Sequence, residues 1–190
     1  MRFSFSLAVA ALVLLTTASW GRADPALLAR LAEPRTHAVM RHALAPGSND
    51  PAGFVLRDCT TQRNLDDNGR RQARRAGAML RAAGVRIDRL WSSLYCRCLE
   101  TARLMDLGPV VEQPFLNSFI RTPHRRVART RELTEALDGL DPAETTLLVT
   151  HNVNAEAFTG TRPISGEIQV VRLGEDGGVT LLGRVEVPVF

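Results

Sequence analysis

The chain has 190 residues, 45% of them apolar and 23% charged, with a formal net charge of +4 at pH 7. That length holds one sizeable core and is short for two, so a single domain is expected. All 24 basic residues are arginine and none is lysine, which excludes a Schiff-base, P-loop or kinase lysine and leaves any phosphate recognition to guanidinium forks.

Met1-Arg2, the apolar segment Phe3 to Leu15 and the small polar run Thr16 to Ser19 follow the order of a secretory signal and are too short for a membrane span. Gly21-Arg22-Ala23 offers a cleavage site before Asp24, with cleavage after Ala18 as the alternative. The expected division is a signal peptide over 1–23 and one domain over 24–190. That domain would be periplasmic or secreted, with no stable membrane span after cleavage. Losing residues 1–23 removes two arginines and no acid from +4, leaving +2, too little to point to nucleic acid.

Residues 24–35 read as a short amphipathic helix, and Thr36 to His42 as an apolar strand that ends abruptly in Arg41-His42. The stretch from Ala43 to Asn64 is rich in turn formers and long enough to fold over a site. A helix capped near Asp66 to Asn68 should run to about Ala83, burying Ala73, Ala76, Gly77 and Leu80. Its arginines, Arg70, Arg71, Arg74, Arg75 and Arg81, fall mostly on a solvated face. Val85 to Trp91 alternates like a strand and ends at Ser92-Ser93, and Tyr95 to Leu107 reads as a helix carrying Arg97 in its first turn. Val110-Val111 is a short strand, 112–126 an irregular connection, and Val127 to Leu140 a helix. Thr146 to Thr150 is a continuous apolar run suited to a strand buried on both faces, ending at His151-Asn152. A brief helix over Ala155 to Phe158 precedes two strands, Glu167 to Leu173 and Val179 to Val187, joined by the hairpin signal Glu175-Asp176-Gly177-Gly178. Strands alternating with helices imply a mixed α/β sandwich.

Of three cysteines, Cys59 is expected to pair with Cys96 or Cys98, because neighbours two apart on one helix point to different faces. The spacings match no common zinc pattern.

Three strands thus finish in Arg41-His42, in Ser92-Ser93 followed by Arg97, and in His151. In an open α/β sheet ligands bind at the carboxyl ends of strands. Two guanidinium groups there would neutralise and orient phosphoryl oxygens, one imidazole would attack phosphorus in line, and the other would bond an equatorial oxygen. His37, inside its strand, and His124, in a loop, are read as structural.

Four ordered motifs carry a resemblance: Val39-Met40-Arg41-His42, Asn64 to Ala73, Ser92 to Ala102 and Leu148 to Asn152. Together they resemble the histidine phosphatase superfamily, also called phosphoglycerate-mutase-like, over nearly all of residues 24–190. The likeness is closest to the exported bacterial branch that includes lipopolysaccharide-core heptose phosphatases. The resemblance implies a three-layer α/β/α sandwich with a mostly parallel central sheet. It implies His42 as the phosphorylated nucleophile, Arg41 and Arg97 as phosphate ligands, His151 as the residue completing the catalytic pocket, and no metal or organic cofactor.

Two departures stand out. Ala43 replaces the usual glycine, which asks for an alanine-compatible backbone. The family's general acid has no counterpart, since Leu116-Asn117-Ser118 and Asn152 occupy the places where glutamate or aspartate would stand. Asp58, Glu112 and Glu167 are the candidate acids. The reading is therefore an exported phosphomonoesterase acting on a phosphorylated small molecule or glycan. The alternative is an envelope protein that binds phosphate with little turnover. A mutase is disfavoured because its phosphorylated cofactors are cytosolic.

Overall fold

The computed structural model describes residues 24–189; the signal peptide expected over 1–23 lies outside the described residues. Six strands form one sheet: β1 Thr36–Arg41, β2 Arg89–Ser92, β3 Val110–Glu112, β4 Thr146–Thr150, β5 Ile168–Leu173 and β6 Val179–Val185, in the order β3-β2-β4-β1-β5-β6. The β3-β2-β4-β1 pairings are parallel, and β5 and β6 add an antiparallel edge. The helices are α1 Pro25–Ala29, α2 Asp67–Ala82, α3 Cys96–Met105, α4 Arg126–Asp138 and α5 Asn152–Thr159. This is the expected mixed α/β architecture.

Period-2 alternation divides the core between the two faces. Ala38 and Met40 of β1, Leu90 of β2 and Leu147 and Val149 of β4 pack with Leu28, Ala76, Leu80, Ala102 and Met105 of α1, α2 and α3. Val39, Trp91 and Leu148, one residue out of step, pack with Leu133 and Leu137 of α4 and Ala155 and Phe158 of α5. Each central strand is thus apolar on both sides, as a sheet covered by two helical layers requires.

Two boundaries, in elements that reach the site, differ from expectation by three residues or more. Residues 85–88 are not laddered, and β2 begins only at Arg89. Gly84 takes a positive φ of 70° and the Val85 N–H closes back on the Leu80 carbonyl, so the alternating residues just after it finish the exit from α2. In turn α5 starts at Asn152, directly after His151, rather than at Ala155.

Helix α2 sits against the loop that leaves β1 because Gly69 has no side chain: a Cβ there would lie 1.9 Å from the Leu44 carbonyl oxygen. Buried Gln72, one turn on, accepts from the Leu44 N–H (2.9 Å) and donates to the Ser165 and Val187 carbonyls (3.0 and 2.7 Å). One side chain therefore ties the post-β1 loop, the entry to β5 and the C-terminal segment together. The arginines of α2 are largely engaged, Arg70 with Glu100 and Asp67, Arg71 with Asn68, and Arg81 with the Met105 and Asp106 carbonyls. Among the described residues no helix is long and apolar enough to cross a membrane.

Candidate active site

Register brings the strand ends together. Arg41 pairs with Thr150 and Ser92 with Val149, so the residues that follow, His42, His151 and Ser93, emerge on one rim of the sheet. The His42 and Ser93 N–H groups still reach β4 carbonyls, at 2.9 and 3.0 Å, which fixes these positions by backbone rather than side chain. Helix α3 starts three residues later and points Arg97 back over the same rim.

His42 and His151 are both buried, with ring centroids 5.6 Å apart. Between them lies Arg97, whose Nε is 3.2 Å from His42 Nε2 and whose Nη2 is 3.3 Å from His151 Nδ1. The His42 Nδ1 lies 2.8 Å from the Ala43 carbonyl oxygen. A carbonyl only accepts, so Nδ1 carries the proton and the Nε2 lone pair faces the cleft. Burial first, then the guanidinium groups of Arg97, Arg41 and Arg63, hold His42 well below the usual imidazole range. His42 is thus neutral at pH 7, in the tautomer a nucleophile needs. Ala43 has no positive φ, and its N–H is taken by Thr101 Oγ1 at 3.1 Å, so alanine fits where glycine was expected.

His151 is likewise held well below its ordinary value, by burial, then Arg97 and His42. Its Nδ1 accepts from Arg97, which leaves Nε2–H to donate to Ser93 Oγ at 2.9 Å. Ser93 in turn donates to Asn117 Oδ1 (3.0 Å), which also accepts the Leu94 N–H (2.8 Å). Asn117, in the place where an acid was looked for, is the end of a relay that orients His151. Tyr95 packs edge-on to the His151 ring at 4.7 Å and lies under the Arg97 guanidinium, also at 4.7 Å.

Sequence reasoning missed two residues of this cleft. Asp50 accepts from Arg97 Nη1 at 2.8 Å and from the Arg63 N–H at 3.0 Å, and the Arg97 and Asp50 side chains are only 4% and 9% exposed. Arg63 lines the same cleft, donates from Nη1 to the Ala45 carbonyl and keeps a buried Nε without a hydrogen-bond partner. Both lie in the turn-rich 43–64 stretch, where Gly, Asn, Asp and Pro read locally as turn formers. Nothing in that local pattern signals a contact 47 residues away in sequence.

Arg41 does not line the cleft itself. It is half-buried beside it, with Nη1 donating to the Pro163 carbonyl at 3.2 Å and Nε buried without a partner. The three acids considered from sequence are elsewhere. Asp58 caps a short 3-10 turn through the Thr60 N–H and hydroxyl, Glu112 pairs with Arg57, and buried Glu167 accepts from Gln169 and the Ile164 N–H. None of them lines the cleft, where Asp50 is the one carboxylate among the described residues.

The cysteine choice resolves as Cys59–Cys96, which staples the covering loop to the first turn of α3 beside Arg97. Cys98 remains a buried thiol, its pKa pushed up to about 12 chiefly by burial. No group of side chains arranged to hold a metal ion occurs among the described residues. The cleft therefore presents four guanidinium groups at or beside it, those of Arg97, Arg63, Arg121 and Arg41, with one carboxylate and two neutral imidazoles. That excess of positive charge suits a phosphate dianion.

A sequence model of the histidine phosphatase superfamily (branch 1) matches residues 39–120, a span that includes Arg41, His42 and Arg97 but not His151. No curated protein matches the sequence. Among solved structures, the chain is similar to the protein histidine phosphatase SixA complexed with tungstate, at 20% identity and a TM-score of 0.54 over 80% of this chain and 96% of that one. It is also similar to a phosphoserine phosphatase from Entamoeba histolytica, at 13% identity and a TM-score of 0.59 over 82% and 98% of the two chains. A third is the mycobacterial glucosyl-3-phosphoglycerate phosphatase, at 17% identity and a TM-score of 0.60 over 77% and 96%. At these identities the likeness shows a shared fold.

Proposed function

With the histidine phosphatase superfamily supported by the branch 1 match and by the fold, we propose that this chain is an exported phosphomonoesterase working through a phosphohistidine on His42. The same match and fold support a phosphatase hydrolase as its class. The observation that carries the mechanism is the buried His42–Arg97–His151 contact, with His42 Nε2 unprotonated and facing the cleft.

Arg97, Arg63 and Arg41 supply the positive field for a phosphoryl dianion, with Arg97 moving its Nε from His42 to a phosphate oxygen as substrate enters. His42 Nε2 attacks phosphorus, an N–P bond forms, and the bond to the ester oxygen breaks in line. His151 stands opposite, turned by the Ser93–Asn117 relay, and bonds a phosphoryl oxygen once its Nδ1 takes up a proton, which the incoming dianion favours. Asp50, when it carries a proton, can pass it to the departing alkoxide, and the carboxylate so formed takes one from the water that then hydrolyses the phosphohistidine. Atoms balance: alcohol leaves in the first step and inorganic phosphate in the second, with His42 restored.

Export rests on the leader-like order of residues 1–23, and the Cys59–Cys96 bond fits an oxidising compartment. The substrate reading is a small or glycan-borne phosphate, in keeping with the resemblance to lipopolysaccharide-core heptose phosphatases. The phosphate-binding alternative drew on the absence of an acid at the expected sequence positions. Asp50 weakens that support.

The test gives residues 24–190 and a His42→Ala variant an activated aryl phosphate, follows phosphate release and searches the quenched protein for acid-labile label. Turnover and label confined to the parent chain are expected. Tight binding of inorganic phosphate without turnover or label would favour the binding protein instead.

A further inference from the structure

The cleft around His42 does not end at the phosphate position. Phe54, Tyr95, Ser118 and Arg121 line both it and a second cavity of about 350 Å³ that runs away from the histidines. One wall of this cavity is apolar, made by Phe54, Leu56 and Tyr95, with the Phe54 and Tyr95 rings 5.4 Å apart. Arg121 and Arg129 provide its charge, and no carboxylate lines it.

Neither arginine has an ion-pair partner among the described residues. Arg121 lies over the Phe54 ring, 5.2 Å from its centroid, and donates only to the Asp50 and Pro51 carbonyls. Arg129 donates to the Pro114 carbonyl, and its buried Nε has no hydrogen-bond partner. Some arginines of this molecule are matched by carboxylates, as in Arg70–Glu100, Arg89–Glu144 and Arg162–Glu156, while others, such as Arg41 and Arg81, reach only carbonyls. Two unmatched guanidinium groups beside an aromatic wall, in the space a leaving group would fill, describe a ligand with a negative charge on an apolar body.

We infer that the cavity of Phe54, Tyr95, Arg121 and Arg129 holds the alcohol portion of the substrate and selects phosphomonoesters whose alcohol carries a second anionic group on a flat or apolar frame. This rests on the phosphatase reading above. It adds a substrate class that the phosphate pocket, which sees only the transferred group, cannot define.

The probes are 4-carboxyphenyl phosphate and its neutral isostere 4-carbamoylphenyl phosphate, with the 3-substituted pair to allow for the angle of the cavity. The parent chain is expected to prefer the anionic member of at least one pair by roughly fivefold or more in kcat/KM, with the preference falling as salt is raised. Arg129→Gln should bring that ratio towards one, and Arg129→Glu should take it below one. Turnover of the carbamoyl ester in each variant reports that the protein is folded. Equal turnover of both members of each pair by the parent, or a preference that survives both substitutions, would overturn the inference while leaving the phosphatase intact. No turnover of any aryl phosphate and no label on His42 would remove the phosphatase reading, and this one with it.

Discussion

Asp50 makes two contacts that predict different kinetics when it is changed. Its Oδ1 holds Arg97 in a buried ion pair, so it positions the guanidinium that faces both histidines, and in its protonated form it would be the proton source for a leaving alkoxide. Asp50→Asn keeps an oxygen for the Arg63 N–H and Arg97 but cannot give up a proton. The expected result is a loss of about 100-fold in kcat/KM on alkyl phosphates, whose leaving groups need protonation, and only a few-fold loss on 4-nitrophenyl phosphate. Measuring both esters decides the role, because equal losses on the two would make Asp50 a positioning residue alone. Cys98 shows the opposite kind of closeness. Its Sγ lies 3.6 Å from His151 Nε2, yet burial keeps it a protonated thiol, so proximity to the site gives it no nucleophilic part.

The covering loop from Leu44 to Asn64 is the element on which the site depends most. Its residues Asp50 and Arg63 complete the cleft, but among the described residues it has no strand or α-helix of its own. It is held by the Cys59–Cys96 bond, by Gln62 Oε1 accepting the Cys96 N–H at 3.1 Å, and by Arg121 reaching the Asp50 carbonyl. The disulfide joins cysteines 37 residues apart, for which the loss of chain entropy in the unfolded state stabilises by about 4 kcal/mol. Reduction, or Cys59→Ser, is therefore expected to lower the melting temperature and to weaken inhibition by inorganic phosphate several-fold as Asp50 and Arg63 lose their fixed places. Thermal melts and phosphate inhibition with and without reductant check this, and a Cys59→Ser protein should not respond further to reductant because Cys98 is buried. An unchanged melting temperature would count against the loop as a stapled element. This loop also marks where sequence reading ran out. Strand β4 and the ends of β1 and β2 were legible because burial on both faces leaves an unbroken apolar run that polar residues terminate. The convergence of His42, His151 and Arg97 on one rim was legible for the same reason, each following such a boundary, whereas Arg41 lies beside the cleft rather than in it. Asp50, Arg63 and the Ser93–Asn117 relay owe their positions to tertiary contacts spanning 23 to 58 residues, and local patterns carry no record of those.

At the scale of the whole molecule, the neutral histidines tie stability to pH. His37 lies in β1 with its Nδ1 accepting the Thr146 N–H of β4 at 3.3 Å, and burial, then Arg35, lowers its pKa from 6.5 to about 4. Protonating Nδ1 would break that contact and place a charge inside the sheet. The unfolded chain takes up a proton on this residue below about pH 6.5, whereas the folded chain refuses it until about pH 4. Its contribution is therefore fully present above about 6.5 and is lost as pH falls through about 4, amounting to roughly 3 kcal/mol. His42 and His151 are displaced in the same direction by the same burial, reinforced by the arginines around them, so they steepen the loss. Urea unfolding at pH 7.5, 6, 5 and 4.5 should show stability falling across this window. His37→Asn retains an acceptor for the Thr146 N–H while removing the titrating ring, and its profile should be shallower by a large part of His37's share. A profile as steep as the parent's would place the acid sensitivity elsewhere. The fold thus keeps three imidazoles uncharged by burial at the strand ends and in the sheet, and the state that makes His42 a nucleophile is the same state that makes the folded chain sensitive to acid.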